Sequence, residues 1–194
     1  MWDRVTVNTA PADVAVTVDE AKAWLNVTFT DDDALITSLI AAATAKLDGP
    51  RGIGVACFTQ TWDLSLDAFP SGTIYLPGWP VKSVVSVAYV DTDGATQTIN
   101  SANYTLDIKG DQARLSPAYG VSWPSTRRQD GAVTISYVVG EVQDDIHPLL
   151  KLAIRLMVSH WYEHREEGLE VALHQIPMGA EQIMRDFMRG SIAA

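Results

Sequence analysis

The sequence predicts an α+β fold in which a bundle of about four helices is interrupted by an inserted antiparallel β module. Three observations carry that expectation. Apolar residues recur at helical spacing from Thr17 to Asp48, change to a period of two between about Cys57 and Val139, and return to helical spacing from Asp144. The chain accordingly divides into an N-terminal arm (1–16), a helical core (17–55 and 141–176), the β module (56–140) and a C-terminal segment (177–194).

Taken in order, Thr17 is placed to cap a short helix carrying Ala21, Trp24 and Leu25, because a hydroxyl at that position accepts from an otherwise orphaned first-turn amide. Thr30 or Asp31 is placed to cap a second helix whose stripe is Leu35, Ile36, Leu39, Ile40, Ala43 and Leu47, and "DGPRG" stops it. In "FTQTWDLSL" the residues Phe58, Trp62, Leu64 and Leu66 share one face of a strand while Thr59, Thr61, Asp63 and Ser65 share the other. "VKSVVSVAYV" and "DTDGATQTI" follow, with Asp93 and Gly94 supplying the positive backbone dihedrals that a tight hairpin turn requires. Further strands are expected at "YTLDI", "ARL" and "AVTISYVV", for a module of about five to seven strands. A Pro-rich loop, "SPAYGVSWPSTRRQDG", separates the last two.

From Asp144 the stripe is Ile146, Leu149, Leu150, Ala153, Ile154, Met157 and Trp161, ended by the charged "EHREEG". Each flanking helix has a single apolar stripe, so the helices pack against one another, with Trp24, Leu39, Ile154 and Trp161 buried where they meet, and the β module projects as an insertion. A last amphipathic stretch, "MGAEQIMRDFMRG", brings Ile183, Met184, Phe187 and Met188 to one face. Two readings of it stand side by side: a contact surface for a partner or a neighbouring subunit, and a fourth bundle helix packed within its own subunit.

Composition narrows the function. At 194 residues and 47% hydrophobic, the chain can bury one sizeable core. A net charge of -10, from 24 acidic against 14 basic side chains, disfavours a broad phosphate-gripping surface; the adjacent Arg127 and Arg128 read as a solvated loop pair. The lone cysteine, Cys57, excludes an internal disulfide framework, suits a reducing cytoplasm and reads as a small buried side chain rather than a nucleophile. No apolar run approaches the roughly 20 residues that span a bilayer, and the N-terminus carries no signal-peptide pattern.

One stretch points to chemistry. In "SHWYEHREE", His160, Glu163 and His164 spell the H-x-x-E-H of inverzincin proteases, in which two imidazoles on one helical face share a zinc and the glutamate activates water. A zinc hydrolase needs a third ligand, and downstream Glu181 is the one well-placed carboxylate, on a short terminal helix. Asp31, Asp32 and Asp33 open a helix, where its dipole stabilises them without a metal. "DTDG" starts like a calcium loop, but its later ligand positions fail, and Ala102 stands where the last ligand would be. No nucleophile elbow or phosphate loop is present. No catalytic residue, metal or cofactor is therefore expected.

Several strings, in order, bring a family into view: "TVDEAKAWLNV", "DDDALITSLIAAATAKLDG", "TQTWDLSLDAFP", "LPGWPVKSVVSVAYVDTDGATQTI", "SPAYGVSWPSTRR", "GAVTISYVVG" and "LAIRLMVSHWYEHRE". From about Thr17 to Met178 the chain resembles the head-tail connector (adaptor, head-completion) proteins of tailed bacteriophages and gene transfer agents. The resemblance implies a structural virion protein, not an enzyme, located at the head-tail junction and assembled in the host cytoplasm. It implies a ring of about twelve copies matched to the portal, which extends the DNA channel and offers a platform to the tail. The implied partners are the portal protein, tail-side connector or stopper proteins and other copies of the chain, with double-stranded DNA only as passing cargo and no membrane. His164 stands where the family often has asparagine, which makes H-x-x-E-H an accident of one residue. An unrelated α+β binding or assembly module and, as a minor alternative, a zinc hydrolase through His160, Glu163 and His164 are the competing readings.

Overall fold

The computed structural model describes residues 4–11, 14–110, 112–142, 145–164 and 176–188. These divide into two compact units: a β unit, formed by residues 4–10 together with Thr59–Gly140, and a helical unit, formed by Pro11–Phe58 together with residues 141–188. The α+β class is as expected. Among the described residues the strands number eight, in two antiparallel sheets.

In the β unit the strands are β1 (Val5–Thr9), β2 (Gln60–Leu66), β3 (Ile74–Leu76), β4 (Val81–Val90), β5 (Thr96–Thr98), β6 (Tyr104–Asp107), β7 (Ala113–Pro117) and β8 (Val133–Val139). One sheet runs β1-β2-β8-β4-β5 and the other β3-β7-β6. Two strands lie where the sequence showed none. β1 falls in the stretch read as an arm, yet it pairs with β2 from Val5 opposite Leu64; only Val5 of its residues is buried, so an edge strand with one inward residue carries no clear alternation. β3 is three residues long, too short for a period to register.

The period of two in β2 and β8 becomes a packed face, with Trp62, Leu64, Val133, Ile135, Tyr137 and Val139 buried. Gln60 lies on the same face, and its buried Oε1 accepts from Trp62 Nε1 at 2.8 Å. Tyr137 donates to the Pro77 carbonyl at 2.9 Å, so both large polar aromatics are satisfied inside. Gly78, at φ +94°, lies against the Trp62 ring; any side chain there would overlap the indole. The expected hairpin turn joins β4 to β5, but Gly94, at φ 91°, alone takes the positive φ expected of both Asp93 and Gly94; the Asp91 carboxylate holds the turn instead, accepting from the amides of Asp93 and Ala95.

On the rim of this unit Arg4 donates to Asp67, whose other bond is from the Gly131 amide at 2.9 Å. The Arg4 bond first, and then the amide, hold the Asp67 carboxyl below its ordinary value. A carboxylate whose pKa falls on folding stabilises the protein fully above its unfolded value of about 3.9, and that stabilisation is lost as the pH drops through the lowered folded value. Asp67→Asn is expected to lower the melting temperature at neutral pH and to make no difference in strong acid. Melting curves across the acid range check this, and a deficit that persists unchanged in acid contradicts it.

The helical unit contains α1 (Val18–Leu25), α2 (Asp33–Leu47), α3 (Pro148–Glu163) and α4 (Met178–Phe187). Thr17 forms a full capping box with Glu20, as its position suggested. α2 starts differently: its N-cap is Asp32, without a side-chain cap bond. The carboxylates instead reach other helices, Asp33 accepting from Lys22 Nζ at 2.7 Å and Asp32 from the Tyr162 hydroxyl at 2.5 Å. α3 starts at Pro148 rather than Asp144, because a proline ring suits the first helical position and breaks an interior one.

The stripes of α2 and α3 face inward as predicted. Ile36, Leu39, Ile40, Ala43 and Leu47 are buried, as are Leu150, Ala153, Ile154, Met157, Val158 and Trp161. Two residues depart from the expectation: Leu149, in the first turn of α3, is 42% exposed, and Trp24 is 46% exposed. On α1 the covered side is made by Ala21, half-buried Val18 and Leu25, and the largely covered Lys22. At about 100° per residue, Trp24 points well away from the middle of that side, and Asn26, at φ 58°, ends the helix before another turn can follow.

Candidate interaction surfaces

The H-x-x-E-H residues lie on the last turn of α3. The His160 and His164 rings are side by side, centroids 4.3 Å apart, but His164 turns its Nδ1 to the His160 carbonyl at 2.8 Å. Glu163 is exposed. Glu181, the candidate third ligand, pairs with Arg185 one turn along α4. Among the described residues no three His, Cys, Asp or Glu side chains come together to hold an ion. Replacing His160 and His164 by Gln is expected to change unfolding free energy by no more than about 0.5 kcal/mol. Denaturant titration and metal analysis after dialysis against a mild chelator check this; stoichiometric zinc retained by the parent protein and lost by the variant contradicts it.

Cys57 is buried. Burial first, and then the Asp48 carboxylate, push its thiol up to about 12. At neutral pH it is protonated, so it is a packing residue rather than a nucleophile.

α4 has two sides. Ala180 and Met184 are buried, while Ile183 and Phe187 are half-covered. The helix packs on α3: a Cβ on Gly179 would lie 3.5 Å from Leu156 Cδ1, and the Phe187 ring meets His147 edge-on at 4.9 Å. Outside this packing, Met178 at the start of the helix is 84% exposed and Met188, just past its end, is 52% exposed. Of the residues expected on one contact surface, Met184 is therefore taken by the subunit's own packing. Met178, which the sequence did not single out, joins Met188 outside. The apolar spacing was readable; which edge of so short a helix faces inward depends on α3, far away in sequence.

The β unit carries a second surface that sequence reasoning missed. A groove of about 520 Å³ is lined by residues 67–71 and by the loop that contains Trp123, Arg127 and Arg128. Phe69 stacks on Trp123 with centroids 5.0 Å apart and planes 8° from parallel. Tyr89 meets the same Phe69 edge-on at 5.8 Å. Trp123 Nε1 donates to the Gly72 carbonyl at 2.7 Å, and the Arg127 amide to the Val90 carbonyl at 3.0 Å. The loop is thereby held by bonds to segments distant in sequence, which no local pattern could show.

No helix among the described residues is long and apolar enough to cross a membrane. The fold is that of a two-unit α+β chain with apolar and aromatic side chains exposed at its surface. Residues 15–170 match the family model for head completion proteins, and the chain belongs to the head completion protein family. That membership makes it a structural head-tail connector. No curated protein matches it. Its fold is similar to that of a chain in the neck of an empty gene transfer agent particle, computed with C6 symmetry, at 22% identity and a TM-score of 0.74, over 98% of this chain and 97% of that one. A chain in the virion of a native gene transfer agent particle is 21% identical, with a TM-score of 0.72 and the same coverage. A third, in the neck of the native particle computed with C12 symmetry, is 19% identical with a TM-score of 0.66. At these identities the likeness is one of fold.

Proposed function

We propose that the chain forms a ring beneath the portal of a phage or gene transfer agent head, extends the DNA channel and presents the platform on which the tail is built. The observation that carries this reading is the head completion match over residues 15–170. The fold shared with neck components of particles computed with C6 and C12 symmetry supports a ring, since closed rings follow from repeating one head-to-tail interface. The partners are then the portal protein, tail-side connector or stopper proteins and further copies of the chain, assembled in the host cytoplasm into the particle's head-tail junction. The role is structural, not enzymatic.

Charge fits such a channel. With a net charge of -10, the chain repels phosphate, so DNA passes as cargo instead of being held. In the ring, exposed Trp24 and Phe29 are apolar side chains of the helical unit free to meet a neighbour. The portal contact falls on the outer side of α4, where two exposed methionines adapt to an imperfect groove. Co-sedimentation of the purified protein with portal-bearing heads tests the reading: saturable attachment is expected, and equal attachment to heads lacking the portal contradicts it.

A further inference from the structure

We propose that the groove beside Trp123 is a docking site for an extended acidic segment of a partner protein. Its volume, about 520 Å³, falls in the range of sites that enclose a ligand or a few peptide residues, roughly 300–1,000 Å³. Pro70, Pro117 and Pro124 stiffen the walls, and the stacked Phe69 and Trp123 rings give the groove an aromatic, apolar lining. The indole is already fixed by its bond to Gly72, so little ordering remains to be done when a ligand arrives.

Charge chooses the ligand. Arg127 and Arg128 line the groove and are exposed. Among the described residues neither is in an ion pair, whereas Arg4, Lys22, Arg114, Arg155 and Arg185 each have a carboxylate partner. Asp67, the carboxylate at the edge of the groove, is engaged by Arg4 and by the Gly131 amide. Two exposed arginines outside any ion pair, lining a groove that also holds the stacked rings, fit carboxylates flanking an apolar side chain, the guanidinium fork matching a carboxylate in two parallel bonds. A DNA duplex is the poorer fit, because its broad convex backbone does not enter a proline-walled groove of this size. This docking is independent of what α4 attaches to.

A nuclear magnetic resonance titration of the full chain tests the proposal. The probe is a short synthetic peptide with glutamates on both sides of one leucine. The controls are the same peptide with lysines in place of the glutamates, and a short DNA duplex. The glutamate peptide is expected to shift the Trp123 indole N–H and the amides of residues 121–128, more weakly as salt is raised. Arg127→Gln with Arg128→Gln is expected to weaken binding at least about tenfold without moving the melting temperature, because both side chains are exposed. The proposal is overturned by no shift at Trp123 with millimolar peptide, by unchanged affinity in the double variant, or by equal binding of the lysine peptide. Binding of the duplex through these arginines in place of the peptide also overturns it. Should the double variant not fold, the lysine peptide tests the same charge dependence on the parent protein.

Discussion

Ile154→Ala is expected to destabilise the helical unit by about 2–5 kcal/mol. Ile154 is fully buried near the middle of α3, the helix against which α1, α2 and α4 all pack. Truncation there removes apolar area and leaves a cavity that surrounding helices, fixed by their own stripes, cannot collapse to fill. Trp24→Ala is the contrasting case: a larger side chain is removed, but it is 46% exposed, so the loss is expected to be clearly smaller. Urea unfolding followed by circular dichroism measures both. A loss below about 0.5 kcal/mol for Ile154→Ala, or a greater loss for Trp24→Ala, contradicts the packing described.

The second large effect is on attachment. Met178→Glu combined with Met188→Glu is expected to abolish co-sedimentation with portal-bearing heads while leaving the melting temperature nearly unchanged. Both methionines are exposed, so the new charges cost nothing inside the subunit and must be desolvated only when the surface is covered. Deleting α4 outright is a poorer test, because the deletion also strips Ala180 and Met184 from α3 and is expected to lower the melting temperature. If the double glutamate variant attaches as well as the parent, the portal contact is not the outer side of α4.

What could be read in advance follows the range of the interactions. Most of the stripes on α2 and α3, the alternation in β2 and β8, the Thr17 cap and the place of the β4–β5 turn rest on residues a few positions apart, and they stand in the structure where the sequence put them, whereas Leu149 is exposed and Asp93 lacks the positive φ expected of it. β1 and β3 were missed because one is an edge strand with a single buried residue and the other is too short to show a period. Trp24 was misplaced because an apolar residue at helical spacing was taken as inward, when the covered side of a two-turn helix is set by its neighbours. The Trp123 groove forms where Phe69 meets a loop some fifty positions away. The resemblance to connector proteins came from the order of many weak strings, which is why it identified the family while leaving contact residues open.

Electron microscopy of portal-bearing particles mixed with the purified protein tests the central claim most directly. The account predicts a ring of added density at the portal vertex alone, continuous with the channel, into which the β unit and the helical unit each fit. Particles whose portal vertex is unchanged at saturating protein, or density scattered over the capsid, contradict it.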